Sequence, residues 1–294
     1  MNIDCVFSGG GIKGFALIGA YQAIEEKGFT LKRVAGTSAG AIIAGLVVAG
    51  YKSEDLTSIM SEMNLMELLD PGLRFIPGPI GKWISIYFYL GLYKGRRLEE
   101  WIEGKLRVRG IQTFADLPPE SLRVVASDLT NGRLLVLPDD LSKYGIDPQG
   151  FSVAKAIYMS AALPFFFQPV KLKTNTGKLI VVDGGVLSSF PMWLFHQDQM
   201  KKTRPVLGVK LSHSYEDLPK HEIDNGLDMF EALFETMKEA HDARYISRKL
   251  EKNIIFIPTE GILTTDFSLT EEKKNALIVY GRKMADEFLS NWTY

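Results

Sequence analysis

The first fifty residues combine short apolar runs with stretches of helical spacing. Ile3–Phe7 is an apolar run that ends at glycines, which predicts a buried strand. Gly14–Lys27 carries apolar residues at helical spacing, and Gly28 behind it is typical of a helix end. Leu31–Ala35 predicts a second strand, and the nearly all-apolar run Ala39–Tyr51 predicts a helix. This order of strand, helix, strand and helix indicates a parallel sheet with crossover helices.

The remaining pattern extends the same architecture. From about residue 53 to residue 109 the spacing is helical or irregular. Further strands are predicted at Leu122–Ala126, Arg133–Leu137, Lys178–Val182, Val206–Leu211 and Ile254–Ile257. Helices are predicted at Ser152–Leu163, Leu227–Leu250 and Thr270–Trp292. Because no repeat or linker is evident, we expect residues 1–294 to form a single α/β domain. Its three layers would be a mostly parallel central sheet with helices on both faces.

The composition of the 294 residues is that of a globular protein, with 46% hydrophobic and 23% charged residues. The net charge of −1 offers no basic surplus, so we expect no nucleic-acid partner. The single cysteine, Cys5, excludes an intramolecular disulfide framework and a cysteine-rich metal site. It is typical of a reducing compartment, and we therefore expect a cytoplasmic location.

The apolar runs are too short for a membrane-spanning helix. No signal-peptide pattern precedes Ser8, and the longest runs, 39–50 and 83–93, fall short of the roughly 20 residues required. The segment 71–95 is nevertheless rich in aromatic residues between proline and glycine breaks. It has two interpretations: a cover over the core, or an aromatic and cationic lid that makes transient contact with a membrane surface.

A glycine-rich turn follows the first predicted strand. Gly9, Gly11 and Gly14 satisfy the dinucleotide-binding pattern G-x-G-x-x-G. The acidic residue that would hold a ribose about twenty positions later is missing, since Val34–Thr37 stands there. Phe15 after Gly14 excludes a phosphate-binding P-loop. A nicotinamide dehydrogenase is thus disfavoured, and the exposed N–H groups suit another anion, such as the oxyanion of an acyl-transfer intermediate.

The second predicted strand leads into a nucleophile motif. Gly36–Gly40 reads G-x-S-x-G, and an apolar helix begins directly behind Ser38. The flanking glycines allow a sharp turn that raises the serine hydroxyl above the edge of the sheet. A tight turn that needs small residues for packing is the structural alternative. Adjacent parallel strands would bring this turn and the first glycine turn to the same edge, where α/β sites form.

The sequence offers two kinds of proton acceptor for Ser38. Four histidines occur, none in a compelling setting: His196, His213, His221 and His241. Asp183 ends a predicted strand and precedes Gly184 and Gly185, so we expect it at the same sheet edge as Ser38. An aspartate that only caps a turn is the alternative. A Ser–Asp dyad requires that burial raise the proton affinity of the carboxylate, and a Ser–Asp–His order is equally compatible with the spacing.

Three motifs together resemble the patatin-like phospholipase family. They are Gly9–Gly14, Gly36–Gly40 and Asp183–Gly185. Two further stretches, Ala126–Gly132 and Ser160–Val170, are also similar to family segments. The resemblance spans about residues 3–191 in family order, and the C-terminal third matches less distinctly.

The resemblance implies a patatin-like fold and a Ser–Asp dyad without catalytic histidine, metal or cofactor. It assigns Ser38 as nucleophile and Asp183 as proton acceptor, with acyl esters of phospholipids or neutral lipids as substrates. It makes the first turn the oxyanion hole, with Gly10 and Gly11 as the expected N–H donors beside Gly9 and Gly14. The residues that support the motifs are Gly36, Gly40, Gly184, Gly185 and Lys13, the last in the family's basic position.

Two other functions stay open at this level. A histidine-using α/β-hydrolase of small soluble esters would lose activity when one histidine is replaced. A catalytically idle lipid-binding or regulatory module would bind liposomes, but its Ser38 would not react with a fluorophosphonate.

Overall fold

The structure, a computed structural model, describes residues 1–71, 79–175, 177–196, 204–212, 248–259 and 269–293, with single positions between 223 and 242. Its strands are β1 (Asn2–Phe7), β2 (Thr30–Thr37), β3 (Gly91–Tyr93), β4 (Leu122–Asp128), β5 (Arg133–Leu137), β6 (Phe165–Phe167), β7 (Val170–Thr174), β8 (Gly177–Asp183), β9 (Val206–Lys210) and β10 (Ile254–Phe256). Its helices are α1 (Phe15–Glu26), α2 (Ala39–Val48), α3 (Ser53–Ser61), α4 (Pro79–Tyr89), α5 (Arg96–Val108), α6 (Val153–Ala161), α7 (Trp193–His196), α8 (Arg248–Glu251) and α9 (Glu271–Leu289).

The central sheet is mixed. Its strand order is β10-β9-β1-β2-β4-β8-β7, and β5 pairs in addition with β4. Neighbouring strands from β10 to β4 run parallel, whereas β5 and β8 are antiparallel to β4, and β7 is antiparallel to β8. The expected crossover architecture is therefore confirmed, with antiparallel strands added at one end. The short strands β3 and β6 form a separate parallel pair.

Side chains of β1 alternate between two cores, as the period of two in a strand requires. Ile3, Cys5 and Phe7 are fully buried in the larger core, to which α1, α2 and α9 contribute. Val6 points into a smaller core on the other face of the sheet, together with Phe195 of α7 and a leucine of α8. Helices thus cover both faces, and the expected three-layer α/β architecture is confirmed.

Several predicted helix ends are explained by local chemistry. Gly28 behind α1 has a φ of 76°, a left-handed conformation that favours glycine. The Ser152 hydroxyl accepts a hydrogen bond from the Lys155 N–H at 3.2 Å and caps α6. Thr270 caps α9 in the same way through the Lys273 N–H, at 3.4 Å.

Three short strands are not predicted by the sequence pattern: β3, β6 and β7. In contrast, most of the predicted helix 227–250 lies outside the described residues, as do residues 72–78 of the aromatic segment. Among the helices that the structure describes, none has the length and apolar character required to cross a membrane.

Candidate active site

Ser38 occupies a sharp turn between β2 and α2. Its backbone has φ 56° and ψ −123°, a conformation that L-residues adopt at a cost of about 1–3 kcal/mol. The turn is possible only because its flanking residues lack a Cβ. A Cβ on Gly36 would collide with the Gly40 carbonyl, and a Cβ on Gly40 would collide with the Phe7 carbonyl. The G-x-S-x-G spacing is therefore a steric requirement of the strand-to-helix turn.

The first glycine turn lies directly beside Ser38. A Cβ on Gly9 would be 3.3 Å from the Ser38 Cβ, so the backbone of the turn passes close to Ser38. A Cβ on Gly14 would be 2.7 Å from the Ala39 Cβ, so Gly14 allows the starts of α1 and α2 to approach each other. The predicted convergence of the two turns is present in the structure.

In the first glycine turn, the backbone N–H groups differ in whether they have a hydrogen-bond acceptor. The Gly9 N–H donates to the Ser189 carbonyl at 2.8 Å and is therefore occupied. Over the residues that the structure describes, the N–H groups of Gly10 and Gly11 have no protein acceptor. They lie at the beginning of a 3₁₀ turn (Gly11–Gly14) that continues into α1, where the partial positive charge of a helix start is greatest.

Asp183 approaches Ser38 from the opposite direction along the sheet. Both β2 and β8 pair with the edge of β4 that β5 leaves open. Thr37 pairs with Val125, and Asp183 pairs with Ala126, the next residue of β4. Successive residues of a strand are separated by about 3.3 Å, so the ends of β2 and β8 meet head to head.

The strand direction that we expected for β8 is wrong. We expected β8 to run parallel to β2, so that the carboxyl ends of both strands would lie at one edge of the sheet. β8 is antiparallel to β4. The two residues come together because β2 stops halfway along β4 and β8 occupies the rest of the same edge.

The carboxylate of Asp183 is held in a buried turn. Its side chain is 2% exposed, and Oδ1 accepts a hydrogen bond from the Gly185 N–H at 2.6 Å. Gly184 leaves room for the neighbouring strands, because a Cβ there would collide with the Val125 carbonyl. Thr37, in front of Ser38, donates its hydroxyl proton to the Ser188 carbonyl at 3.0 Å. The loop behind Asp183 is thus bonded to the end of β2, directly before Ser38.

Ser160 is a site residue for which the sequence predicted no role. Its hydroxyl accepts a hydrogen bond from the Ser38 N–H at 2.9 Å and donates one to the Val125 carbonyl at 2.6 Å. Ser160 is fully buried at the end of α6, and two residues later the Ala162 carbonyl accepts from the Asp183 N–H at 2.9 Å. The end of α6 therefore holds the backbone of Ser38 and the backbone of Asp183. Ser160 lies in one of the stretches that resemble the family, which was the only signal.

The stretch Ala126–Gly132 has a structural role in the hairpin between β4 and β5. The Asp128 carboxylate is fully buried and accepts hydrogen bonds from the N–H groups of Thr130 and Asn131 at 3.0 and 3.2 Å. It also accepts from the Asn131 amide at 2.6 Å and from the Tyr144 hydroxyl at 3.1 Å. These contacts fix β4, against whose edge Thr37 and Asp183 pair.

The other candidates are described only in part. Lys13 is half-buried in the 3₁₀ turn, and its N–H donates to the Gly10 carbonyl at 3.1 Å. His213 and His221 lie outside the described residues, as does the side chain of His196, whereas His241 is half-buried in a helical stretch. In the described ranges, no group of three or more His, Cys, Asp and Glu side chains is arranged to hold a metal ion.

Comparisons with known proteins show the family and the fold. A family model described as patatin-like phospholipase matches residues 5–196. An uncharacterised protein of Bacillus subtilis (strain 168), YqhO, is 53% identical over 294 residues and covers 100% of both chains. A probable lipid hydrolase, 463L, of Invertebrate iridescent virus 6 is 26% identical over 208 residues, 67% of this chain and 65% of the viral protein.

The crystal structure of VipD from Legionella pneumophila shares the fold. It aligns with 99% of this chain and 67% of its own, with a TM-score of 0.61 at 19% sequence identity. The fold similarity thus extends beyond the 5–196 range of the family model into the C-terminal third.

Proposed function

The chain belongs to the patatin-like phospholipase family, and from this premise we propose that it hydrolyses acyl ester bonds of phospholipids or related lipids through a Ser38–Asp183 dyad. The observation that carries the proposal is the meeting of β2 and β8 at consecutive residues of β4. This arrangement supports a dyad, because the strand that leads to Ser38 ends next to the strand that ends at the buried Asp183. A serine hydroxyl needs such an acceptor for its proton when it attacks a carbonyl.

The reaction proceeds in two steps. Asp183 accepts the hydroxyl proton of Ser38 while Oγ attacks the ester carbonyl, and the tetrahedral intermediate collapses as the leaving alcohol takes that proton. Asp183 then accepts a proton from water, and the resulting hydroxide attacks the acyl-enzyme. The fatty acid leaves, and the proton returns to Ser38 Oγ.

The first glycine turn supplies the donors for the oxyanion. The N–H groups of Gly10 and Gly11 are open to a ligand, whereas the Gly9 N–H is already bonded to Ser189. In other hydrolases one such donor contributes about 2.7–4 kcal/mol to transition-state stabilisation. Gly9, Gly14, Gly36, Gly40, Gly184 and Gly185 support the site through close backbone approach and turn geometry.

The test is release of fatty acid from phospholipid and neutral-lipid micelles by purified variants. Ser38→Ala and Asp183→Asn should each lower the rate by at least about a thousandfold. Ser142→Ala and Asp286→Asn are matched controls, because both side chains are exposed and neither has a hydrogen bond to a residue of the candidate site among the described residues. Hydrolysis retained by Ser38→Ala would remove Ser38 as the nucleophile.

Single histidine replacements distinguish the dyad from a triad. If Asp183 is the proton acceptor, no replacement of His196, His213, His221 or His241 lowers kcat by more than about tenfold. A loss above about a hundredfold at one of them would instead establish a histidine-dependent hydrolase.

A further inference from the structure

Five large apolar side chains at the end of α4 and the start of β6 are exposed to solvent. Tyr87 is 78% exposed, Phe88 69% and Phe165 52%, and Tyr89 and Leu90 are more than 40% exposed. Gly91 pairs with Phe165 between β3 and β6, so the two chain segments form one surface, the aromatic patch. Contiguous exposed apolar surface of this kind marks an interaction site more often than isolated exposed residues do.

The backbone under the aromatic patch is held in an uncommon conformation. Leu90 has φ 63° and Phe165 has φ 64°, values at which residues other than glycine are strained by roughly 1–2 kcal/mol. The Ser85 hydroxyl donates to the Gly91 carbonyl at 2.7 Å, and the Tyr158 hydroxyl donates to the carbonyls of Lys94 and Gln168. These bonds hold the two strands in place while the patch itself stays exposed.

The aromatic patch lies beside the candidate active site. Phe165 follows Ala162 by three residues, and the Ala162 carbonyl accepts the hydrogen bond of the Asp183 N–H. Three residues span at most about 11 Å, so one edge of the patch is within that distance of the backbone bonded to Asp183. A surface that the patch contacts would therefore present its molecules near Ser38.

We propose that the aromatic patch docks the protein on an anionic phospholipid surface. Tyrosine and phenylalanine rings favour the boundary between head groups and acyl chains. Lys94 and Arg97 are exposed immediately after β3, and neither has a carboxylate partner among the described residues. The Arg97 guanidinium donates a hydrogen bond to the Glu67 carbonyl at 3.0 Å and keeps its charge without an ion pair in the described part of the chain. Apolar side chains bordered by two cations that lack a described carboxylate partner match a bilayer with negative head groups. The proposal rests on the proposed function for its substrate, but the docking itself does not require catalysis.

Vesicle binding by an inactive protein tests the docking separately from hydrolysis. Ser38→Ala would be sedimented with phosphatidylcholine vesicles that contain or lack phosphatidylglycerol. We expect Tyr87→Ser with Phe88→Ser to lower the partition coefficient on the anionic vesicles by at least about tenfold. Val279→Ser is the matched control, because Val279 is 68% exposed on α9, outside the patch. The proposal would be overturned if the Tyr87 and Phe88 replacements lowered the partition coefficient no more than Val279→Ser does, or if neither variant lowered it.

The cations are tested on the same vesicles. Lys94→Ala with Arg97→Ala should weaken binding to the anionic vesicles several-fold and leave binding to pure phosphatidylcholine unchanged. Equal binding of the parent protein to both kinds of vesicle would refute the preference for an anionic surface. Sedimentation velocity without lipid is the check on the main rival occupant. A dimer that the Tyr87 and Phe88 replacements dissociate would assign the patch to a second copy of the chain and overturn lipid docking.

Activity measurements keep the two proposals apart. With Ser38 intact, the patch variant should hydrolyse a soluble short-chain ester at the parent rate and lose activity only on vesicles. If neither the parent protein nor any variant hydrolyses an ester, but the Tyr87 and Phe88 replacements still lower the partition of the protein onto vesicles, the proposed function fails and the docking stands. If esters are hydrolysed but vesicle activity is unaffected by the patch, the docking fails and the enzymatic function stands.

Discussion

At the scale of single residues, the backbone of the proposed nucleophile Ser38 is held by one buried hydroxyl, that of Ser160. The Ser160 hydroxyl accepts a hydrogen bond from the Ser38 N–H at 2.9 Å and donates one to the Val125 carbonyl at 2.6 Å. Both of these hydrogen bonds join Ser160 to backbone groups, and we therefore expect it to act as a positioning residue. Because the N–H of Ser38 is bonded to Ser160, the proposed oxyanion hole uses the N–H groups of Gly10 and Gly11, which have no protein acceptor among the described residues.

Replacement of Ser160 should affect turnover more than substrate binding. In Ser160→Ala the half-buried Ser38 N–H and the Val125 carbonyl both lose a partner, which destabilises this conformation of the turn by about 1–3 kcal/mol. We expect kcat on a soluble ester to fall roughly 10- to 100-fold while KM changes less than about threefold. Ser160→Thr retains the hydroxyl and should recover part of kcat.

Ser142→Ala is the control for Ser160, because Ser142 is exposed. A purely structural role would lower the amount of folded protein and leave kcat per active site unchanged. Active-site titration of the folded fraction separates the two, and an unchanged kcat in Ser160→Ala would contradict the positioning role.

Local chemistry made Ser38 and Asp183 predictable, whereas Ser160 was not. Each of the first two has glycines beside it in the sequence, because the turn that presents it needs close backbone approach. The function of Ser160 arises only where the end of α6 meets β2 and β4, more than 120 residues away from Ser38 in sequence. Asp183 was expected at the correct place for an incorrect reason, since strand direction is not encoded in the strand itself.

At the scale of elements, the helices α1 and α9 cross at two glycines. A Cβ on Gly281 would collide with the Ala16 carbonyl, and a Cβ on Gly19 would collide with the Ile278 carbonyl. The two backbones therefore touch directly. This contact attaches the last helix of the chain to the helix that begins at the first glycine turn.

Two glycine-to-alanine changes in helices should have opposite effects on stability. Gly281→Ala forces α1 and α9 apart and should lower the free energy of unfolding by about 2 kcal/mol or more. Gly104→Ala lies within α5, where no atom would be within 4 Å of the new Cβ. It should raise the free energy of unfolding by about 0.5–1 kcal/mol through helix propensity. Urea unfolding measures both, and equal effects would contradict the crossing.

The sequence predicted those strands and helices in which burial produces a regular spacing of apolar residues. The strands β1 and β2 and the helices α1 and α9 carry long apolar patterns and were predicted. The three-residue strands β3 and β6 are too short to show a period, and in β7 only Leu172 is buried. Their pairing is determined by partners elsewhere in the chain, which local sequence does not reveal.

At the scale of the whole molecule, β1 lies inside the central sheet, and its side chains enter the cores on both faces. Cys5 has no exposed surface, and burial raises the pKa of its thiol well above the usual range. The single-domain organisation stays a prediction. It is supported by the contact between α1 and α9, which joins the family-matched range 5–196 to the C-terminal helix.

The buried thiol should make stability depend on pH. The unfolded thiol ionises near its ordinary pKa of about 9, whereas the folded thiol stays protonated. The contribution of the buried thiol to the free energy of unfolding is therefore complete below about pH 9 and declines as the pH rises further. Between pH 9 and pH 10 the parent should lose about 1 kcal/mol more unfolding free energy than Cys5→Ala. Parallel urea titrations give this difference, and identical pH profiles would show that Cys5 reaches solvent in the native state.

Covalent labelling of Ser38 tests the central claim most directly. The native protein would be treated with a fluorophosphonate and digested, and the modified peptide would be identified by mass spectrometry. The dyad predicts one adduct per chain, located on Ser38, with labelling at least about a hundredfold slower in Asp183→Asn and near the parent rate in each histidine variant. An adduct on another residue, or no adduct on a protein that hydrolyses esters, would contradict it.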